Sequence, residues 1–517
     1  MTLIRSIATV GSFTLASRVL GFVRDILIAS FLGAGLVSDA FFVAFKVPNF
    51  FRRLFAEGAF NAAFVPMFSG LMTTDGREAA RAFAGEALAV MVVVLFVFVT
   101  ALQIAMPWAM YGLAPGFAAN PEKFDLAVEF TRLTFPYLLF ISLVSLMGGI
   151  LNSAGRFAAA AATPILLNLT LIGALLLAVP YLPTTGHALA WGVAAAGIIQ
   201  FVWLLAAMAR AGLSIRLPRP RLTPRVKELL RLMLPGVIGA GVVQINLLVD
   251  VVIASLLPEG SISFLYFADR VNQLPVGVIG VAVGTALLPL LSRQVAAGEG
   301  DAAANSQNRA IEAALLFTLP AAAALMVIAA PVITGLFQRG AFDASAASAT
   351  AAALTAYSVG LPAYVLIKVL TPGYFARKDT KTPVRIAVLS MVVNLVLNLI
   401  LMGPLQHVGL ALATAIAAWL NAILLAWGLR RRGFLKIDPR LRRRVPRIAF
   451  AALVLAVALW AGRLGLERLA AGYDGERFGT LAILVVGGGI VFALVAQITG
   501  AARLGELRSL LRPRASG

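Results

Sequence analysis

LASRVLGFVRDILIASFLGAGLVSDAFFVAFKVPNFFRR, residues 15–53, is two apolar runs joined at a glycine-bounded break, and seven charged residues lie inside it: Arg18, Arg24, Asp25, Asp39, Lys46, Arg52 and Arg53. About 20 apolar residues cross a hydrocarbon core ~30 Å thick. A charge at that depth is costly on any scale, so it normally faces a wet interior and marks a function. The stretch predicts two membrane-spanning helices whose cations line a cavity, and hence an anionic cargo.

The rest of the chain extends this pattern. It has 517 residues, 60% hydrophobic and 13% charged, about half the charge of a soluble chain. Apolar runs predict an all-α polytopic membrane protein of about fourteen helices, at 6–32, 37–69, 82–111, 126–151, 158–179, 187–210, 231–257, 263–292, 308–336, 347–375, 383–402, 408–429, 446–464 and 478–500. Runs longer than 25 residues imply tilt or kinks at Pro48, Pro66, Pro289 and Pro362. The first run lacks a small-residue cleavage site and reads as a retained helix. With no cysteine, disulfides, thiolate metal sites and Cys nucleophiles are excluded.

Loop charge sets the orientation. Thirty Lys and Arg residues fall in loops on the side of the N-terminus and five, including Lys123, on the other. That bias predicts cytoplasmic termini in the cell inner membrane. Most of the +20 net charge lies in two linkers, RAGLSIRLPRPRLTPRVKELLR (210–231) and RRRGFLKIDPRLRRRVPR (430–447). Without a recognition fold these suit anionic phospholipid headgroups rather than nucleic acid. They divide the chain into an N-lobe (1–215), a linker (216–224), a C-lobe (225–432), a second linker (433–445) and a terminal helix pair with its tail (446–517). The halves share traces of sequence: DILIAS at 25–30 matches DVVIAS at 250–255, and Asn49, Ala63, Pro66 and Ser69 match Asn272, Ala286, Pro289 and Ser292. Six helices in each half predict a parallel repeat around a central cavity.

The repeat breaks where the charge is: Arg52, Arg53 and Glu57 align with Pro275, Val276 and Gly280. Arg18, Gly21 and Asp25 share one helix face, Lys46, Asn49, Arg53 and Glu57 another, and Asp269, Arg270 and Lys368 lie in later spans. Arginine predominates, and its planar fork binds phosphate oxygens two at a time. The competing reading is that these are ion pairs holding helices together, and for Arg132 with Glu129, three residues apart, it is the preferred one.

The segments LASRVLGFVRDILIASFLGAG (15–35), SDAFFVAFKVPNFFRRLFAEGAFNAAFVPMFS (38–69), ADRVNQLPVGVIGVAVGTALLPLLS (268–292) and ARKDTKTPVRI (376–386) closely resemble the MurJ/MviN family of lipid II flippases. Its wider superfamily of multidrug and oligosaccharidyl-lipid exporters has two six-helix lobes around a V-shaped cavity. The resemblance implies a monomeric, non-enzymatic transporter of lipid II, an undecaprenyl pyrophosphate bearing a disaccharide and a peptide. It maps the family's functional arginines onto Arg18, Arg24, Arg52 and Arg270, with Asp25 as the carboxylate that pairs with or releases an arginine, and makes 446–464 and 478–500 a groove for the prenyl tail. Asp39, Lys46, Asn49, Arg53, Glu57, Asp269 and Lys368 complete the expected substrate-binding set.

Some members place sodium at positions matching Asp250, Asn394, Asn398 and Thr414. Where those members have a second acid this chain has Asn398, so helix–helix hydrogen bonding is the competing reading. No cofactor is required, and either that ion or the membrane potential is the expected coupling force. The expected mechanism is alternating access. An exporter of another prenyl-linked oligosaccharide needs the same arginines, and a cation-coupled multidrug exporter prefers an acidic or aromatic cavity. A membrane enzyme needs acidic metal ligands or a His/Asp base, and no such cluster is visible.

Overall fold

The structure, a computed structural model, describes residues 3–53, 60–469 and 477–502; Glu57 lies outside them. The described residues are helical and contain no strand. In chain order the helices are α1 (Leu3–Leu32), α2 (Leu36–Phe51), α3 (Asn61–Thr74), α4 (Gly76–Leu113), α5 (Pro121–Thr134), α6 (Tyr137–Ser153), α7 (Phe157–Gly173), α8 (Thr185–Arg210), α9 (Pro224–Ser255), α10 (Ser261–Ala296), α11 (Gly300–Phe337), α12 (Ala344–Phe375), α13 (Lys381–Arg431), α14 (Pro439–Leu469) and α15 (Arg477–Thr499).

Local chemistry sets the helix starts. Asn120, Thr184, Thr223 and Asp343 each accept a backbone N–H from the first turn of the helix they precede, and Pro121 and Pro224 occupy first helical positions where the missing N–H costs nothing. At the end of α1 the chain turns at Gly33, with φ of 68°. Residues 339–342 pack there, and Ala341 N–H donates to Ser30 O at 2.8 Å. A Cβ on Gly33 would lie 2.5 Å from Ala341 O, so both the backbone angle and the close approach demand glycine.

Among the described residues nine helices are long and apolar enough to cross a membrane. The layout differs from the fourteen expected runs at one place. The run 126–151 is two helices meeting at Phe135 and Pro136. The runs 383–402 and 408–429 are the two arms of α13, which meet at a break at Gln406, with φ of 48°, in the expected gap between them. Of the run 37–69, α2 and α3 hold 16 and 14 residues, and residues 54–59 between them lie outside the described residues. Pro48, Pro66, Pro289 and Pro362 all lie inside helices, but the non-helical angles within α11 and α13 fall at Ile328 and Gln406. Three helices outside the nine, α1, α2 and α10, are those that carry Arg18, Arg24, Lys46, Asp269 and Arg270.

The chain forms two compact units, residues 1–263 with 339–342, and residues 264–338 with 343–517. The first of these holds α9, which the lobe boundary at 225 placed in the second half; α9 packs on α3 and α4. In the first unit α1 packs on α7, α2 on α5, and α8 on α6 and α7. The linker after α8 runs against α4, where Gly85 admits it: a Cβ there would lie 2.6 Å from Arg216 O. Arg81 donates to Gly212 O, and Thr223 Oγ1 donates to Glu86 at 2.7 Å. Arg216, Leu217, Arg219, Arg221 and Leu222 of this strap are exposed.

In the second unit α11 packs on α12 and α14, α12 on α13, and α14 on α15. Small residues at the seams, such as Ala363, Ala418 and Ala422, let backbones approach closely. The last helix pair is mounted by charge. Glu312 of α11, buried, is gripped by Arg309, Arg440 and Arg444, while Asp438 receives Arg309 and the Leu441 N–H at the start of α14.

Candidate functional site

In the first unit the charges of α1 meet α7. Arg24 and Asp25 are both buried, in a helix that is otherwise apolar for two turns. Consecutive residues on a helix point about 100° apart, yet the Arg24 guanidinium folds back so that Nε and Nη2 donate to Asp25 Oδ1 at 3.0 and 2.7 Å. Its Nη1 donates to Asn168 Oδ1 at 2.9 Å, and Asn168 Nδ2 donates to Ser17 O at 2.9 Å. Gly21, one turn before Asp25, lies beside this amide, where a Cβ would make ordinary contact with Asn168 Nδ2 at 3.4 Å. Asn168 is not among the residues expected from sequence. Its buried amide between α1 and α7 makes it part of the site.

Other expected residues separate into two groups. Arg18 on α1 and Lys46 on α2 are exposed, as is Arg53. Asn49 Nδ2 donates to Phe45 O at 2.7 Å, and Asn49 Oδ1 receives Arg52 Nε at 3.2 Å, which fixes Arg52 where it caps α2. Asp39 is held differently. It is buried, and it accepts Lys123 Nζ at 2.7 Å, the N–H of Gly260 at 2.8 Å, and the N–H and Oγ of Ser263 at 3.0 and 2.7 Å. With four donors, this carboxylate caps the start of α10 and pairs with Lys123.

Lys123, assigned from sequence to a solvent loop, is buried as the partner of Asp39. A lone lysine beside apolar residues carries no signal of its own in sequence. The capping is reciprocal, because Glu259 Oε1 accepts Leu36 N–H at 2.6 Å across a separation of 223 residues, one of the offsets of the repeat. Arg132 and Glu129 also depart from their expected pairing: Arg132 Nε donates to Gln103 O at 3.1 Å, and Glu129 Oε1 lies 3.1 Å from His187 Nε2. Three residues along a helix permit that pair, but the packing of α4 and α8 offers each residue another partner.

In the second unit Arg270 lies over the Tyr266 ring at 4.7 Å, and Asp269 receives the Gln273 amide. Lys368 of α12 is exposed, and its stem lies against Gly280 of α10. Three of the positions suggested for sodium are linked by hydrogen bonds: Asn398 Nδ2 donates to Asn394 Oδ1 at 3.2 Å, Asn394 Nδ2 to Thr414 Oγ1 at 3.5 Å, and Thr414 to Leu410 O at 2.9 Å. Asp250 belongs to the other unit, and among the described residues no three acidic, His or Cys side chains gather as a metal site.

Comparison with known proteins places the chain. The family model described as lipid II flippase MurJ matches residues 28–472. A relative from Rhizobium meliloti (strain 1021), called a probable lipid II flippase MurJ, is 44% identical over 100% of this chain and 97% of its own length. A solved lipid II flippase MurJ in an inward closed conformation superposes with a TM-score of 0.79 at 26% identity, covering 97% of this chain and 99% of that one. An inward-facing multidrug transporter of the MATE family shares the fold alone, with a TM-score of 0.66 at 17% identity over 81% of this chain and 94% of its own. With the family model spanning most of the chain and the relative nearly all of it, this chain belongs to the MurJ family of lipid II flippases.

Proposed function

We propose that this protein carries lipid II from the cytoplasmic to the outer leaflet of the inner membrane by alternating access, with Arg18, Arg24, Arg52 and Arg270 binding the pyrophosphate. It is a transporter and not an enzyme. The observation that carries the site assignment is the way Arg24 is held. One carboxylate on the next residue and one amide on α7 satisfy its guanidinium, and both are side chains that rotate away without unmaking a helix.

A diphosphate offers more charge and more oxygen acceptors than Asp25, and phosphate suits the arginine fork. It therefore competes for Arg24 and returns Asp25 to water. A ligand drives a conformational change only by binding one state better than the other, and the exchange of Asp25 for diphosphate supplies such a difference. With the cell interior negative, outward movement of an anion is favoured by about 2.3 kcal/mol per charge per 100 mV. The potential is therefore the coupling force we favour over sodium, and the test is flipping in vesicles with the potential clamped at zero, where the rate is expected to fall.

The exposed Arg216, Arg219 and Arg221 of the first linker, with Leu217 and Leu222 between them, fit a surface of anionic phospholipid headgroups, at roughly 1 kcal/mol per basic residue. Both termini are then cytoplasmic, in keeping with the loop charges. The deciding experiment is depletion of the protein in its host and replacement by Arg24→Ala or Arg270→Ala. Lipid II is expected to stop reaching the outer leaflet in both. Normal rates in both overturn the assignment of the site.

A further inference from the structure

Two cationic positions on the second unit are too far apart to hold one diphosphate. Arg270 turns its guanidinium over Tyr266, one turn back towards the start of α10. Ten residues beyond Arg270 on the same helix is Gly280, buried, and Lys368 of α12 lies across it. A Cβ built on Gly280 would stand 2.8 Å from Lys368 Cδ and 3.2 Å from its Nζ, so the lysine stem rests in the space that a side chain would fill. At 1.5 Å per residue the two positions are about 15 Å apart along the helix, and the backward turn of Arg270 widens the gap between the charges.

A pyrophosphate, two phosphate groups sharing one oxygen, is shorter than that distance. The headgroup of lipid II carries a second class of anion, because its peptide ends in a carboxylate. An extended peptide covers about 3.5 Å per residue, so four residues reach about 14 Å. The chemistry of the side chains follows the same division. Arginine presents a planar fork suited to phosphate, whereas lysine is a compact charge on a flexible stem, which suits a carboxylate at the end of a mobile chain.

We propose that Lys368, seated across Gly280, is a separate subsite that binds a carboxylate of the headgroup peptide while Arg270 serves the diphosphate. The proposal rests on the lipid II reading above. It makes Lys368 a determinant of which peptide is carried, and it gives Gly280 a reason to lack a side chain where the first half has Glu57.

The test measures binding to the full-length protein in lipid nanodiscs, with two probes: lipid II bearing free peptide carboxylates, and lipid II whose peptide carboxylates are primary amides. The wild type is expected to bind the amide form about tenfold more weakly, the scale of one charge-assisted hydrogen bond. Lys368→Gln should weaken the carboxylate form to match and leave the amide form within about twofold, by the same estimate. Gly280→Val, which displaces the stem but keeps the charge, should act in the same direction, and Lys368→Arg should restore the preference. Arg270→Ala should weaken both forms alike.

Equal binding of the two probes by the wild type, or an equal loss of both in Lys368→Gln, overturns the subsite. If Arg270→Ala leaves both probes unaffected, it is the diphosphate reading that fails instead. The wild-type comparison involves no substitution, so it decides the question even if a variant does not fold.

Discussion

Asp39 and Arg24 are both buried charges in the first unit, on neighbouring helices, and they are held by different kinds of partner. Two of the four donors on Asp39 are backbone N–H groups of residues 260 and 263. They leave only if the start of α10 moves. Arg24 bonds to the side chains of Asp25 and Asn168, which reorient by bond rotation. Burial alone therefore does not identify a binding residue; what matters is whether its present partners are exchangeable.

The largest effect expected from this contrast is on stability. Asp39→Ala leaves the Lys123 ammonium buried and two helix-start N–H groups without their acceptor, a loss of about 3–5 kcal/mol. It should appear as a sharply lower melting temperature in detergent. Adding Lys123→Met should recover part of the loss, because the stranded charge goes with it. If Asp39→Ala melted like the wild type yet stopped lipid II flipping, Asp39 would act in the substrate-binding set where the sequence grouped it.

Glu312 stands between the two cases. Three arginines converge on it, all through side chains, but they fasten α14 to α11 near the second basic linker. Glu312→Gln keeps the shape and removes the charge, and part of the surrounding arginine charge is solvated, so the expected loss is about 2–3 kcal/mol, below the range for a fully buried pair. Limited proteolysis should show earlier cleavage in 433–445, and unchanged cleavage there would mean that apolar packing alone holds the last helix pair.

A smaller effect is expected at Arg24. Asn168→Ala removes one hydrogen bond to a charged group, about 1.5 kcal/mol, and leaves the pairing with Asp25 in place. Melting should shift little while flipping slows, since the guanidinium loses the partner that orients it. An equal effect on melting and flipping would make Asn168 a packing residue only.

These contrasts mark how far the sequence could be read. The helical class followed from composition and run length, and the special status of α1, α2 and α10 followed from charge inside apolar runs. Arg24 and Asp25 were legible because two adjacent charges in such a run stand out. Asn168 and Lys123 were not, since a single asparagine or lysine has no pattern until a partner 144 or 84 residues away is placed beside it. The capping role of Asp39 was hidden for the same reason: near the start of a helix a carboxylate that caps and a carboxylate that binds look alike. The break at Pro136 was hidden because apolar residues continue through it on both sides, whereas the one at Gln406 was legible from Gly403, Pro404 and His407 between two apolar runs.

The smallest expected effect belongs to Asp379, which resembles Asp39 in chemistry but sits in a connecting segment outside the spans. It accepts the Thr382 N–H at 3.0 Å at the start of α13 and pairs with Arg432. The Thr382 hydroxyl, then its N–H and Arg432, hold the carboxyl at about 2, below its ordinary 3.8 and against a smaller opposing effect of burial. Because the folded value is the lower one, the contribution is fully present above about pH 4 and is lost as pH falls through about 2. Arg432 is largely solvated, so the contribution is screened to at most about 1 kcal/mol. The melting difference between wild type and Asp379→Asn should therefore be small and constant at neutral pH and should close between pH 4 and 2. A difference that survived at pH 2 would show that Asp379 acts through the neutral geometry of its cap. The same carboxylate chemistry that is worth several kcal/mol at Asp39 would then owe its size to burial, with charge adding little where water is near.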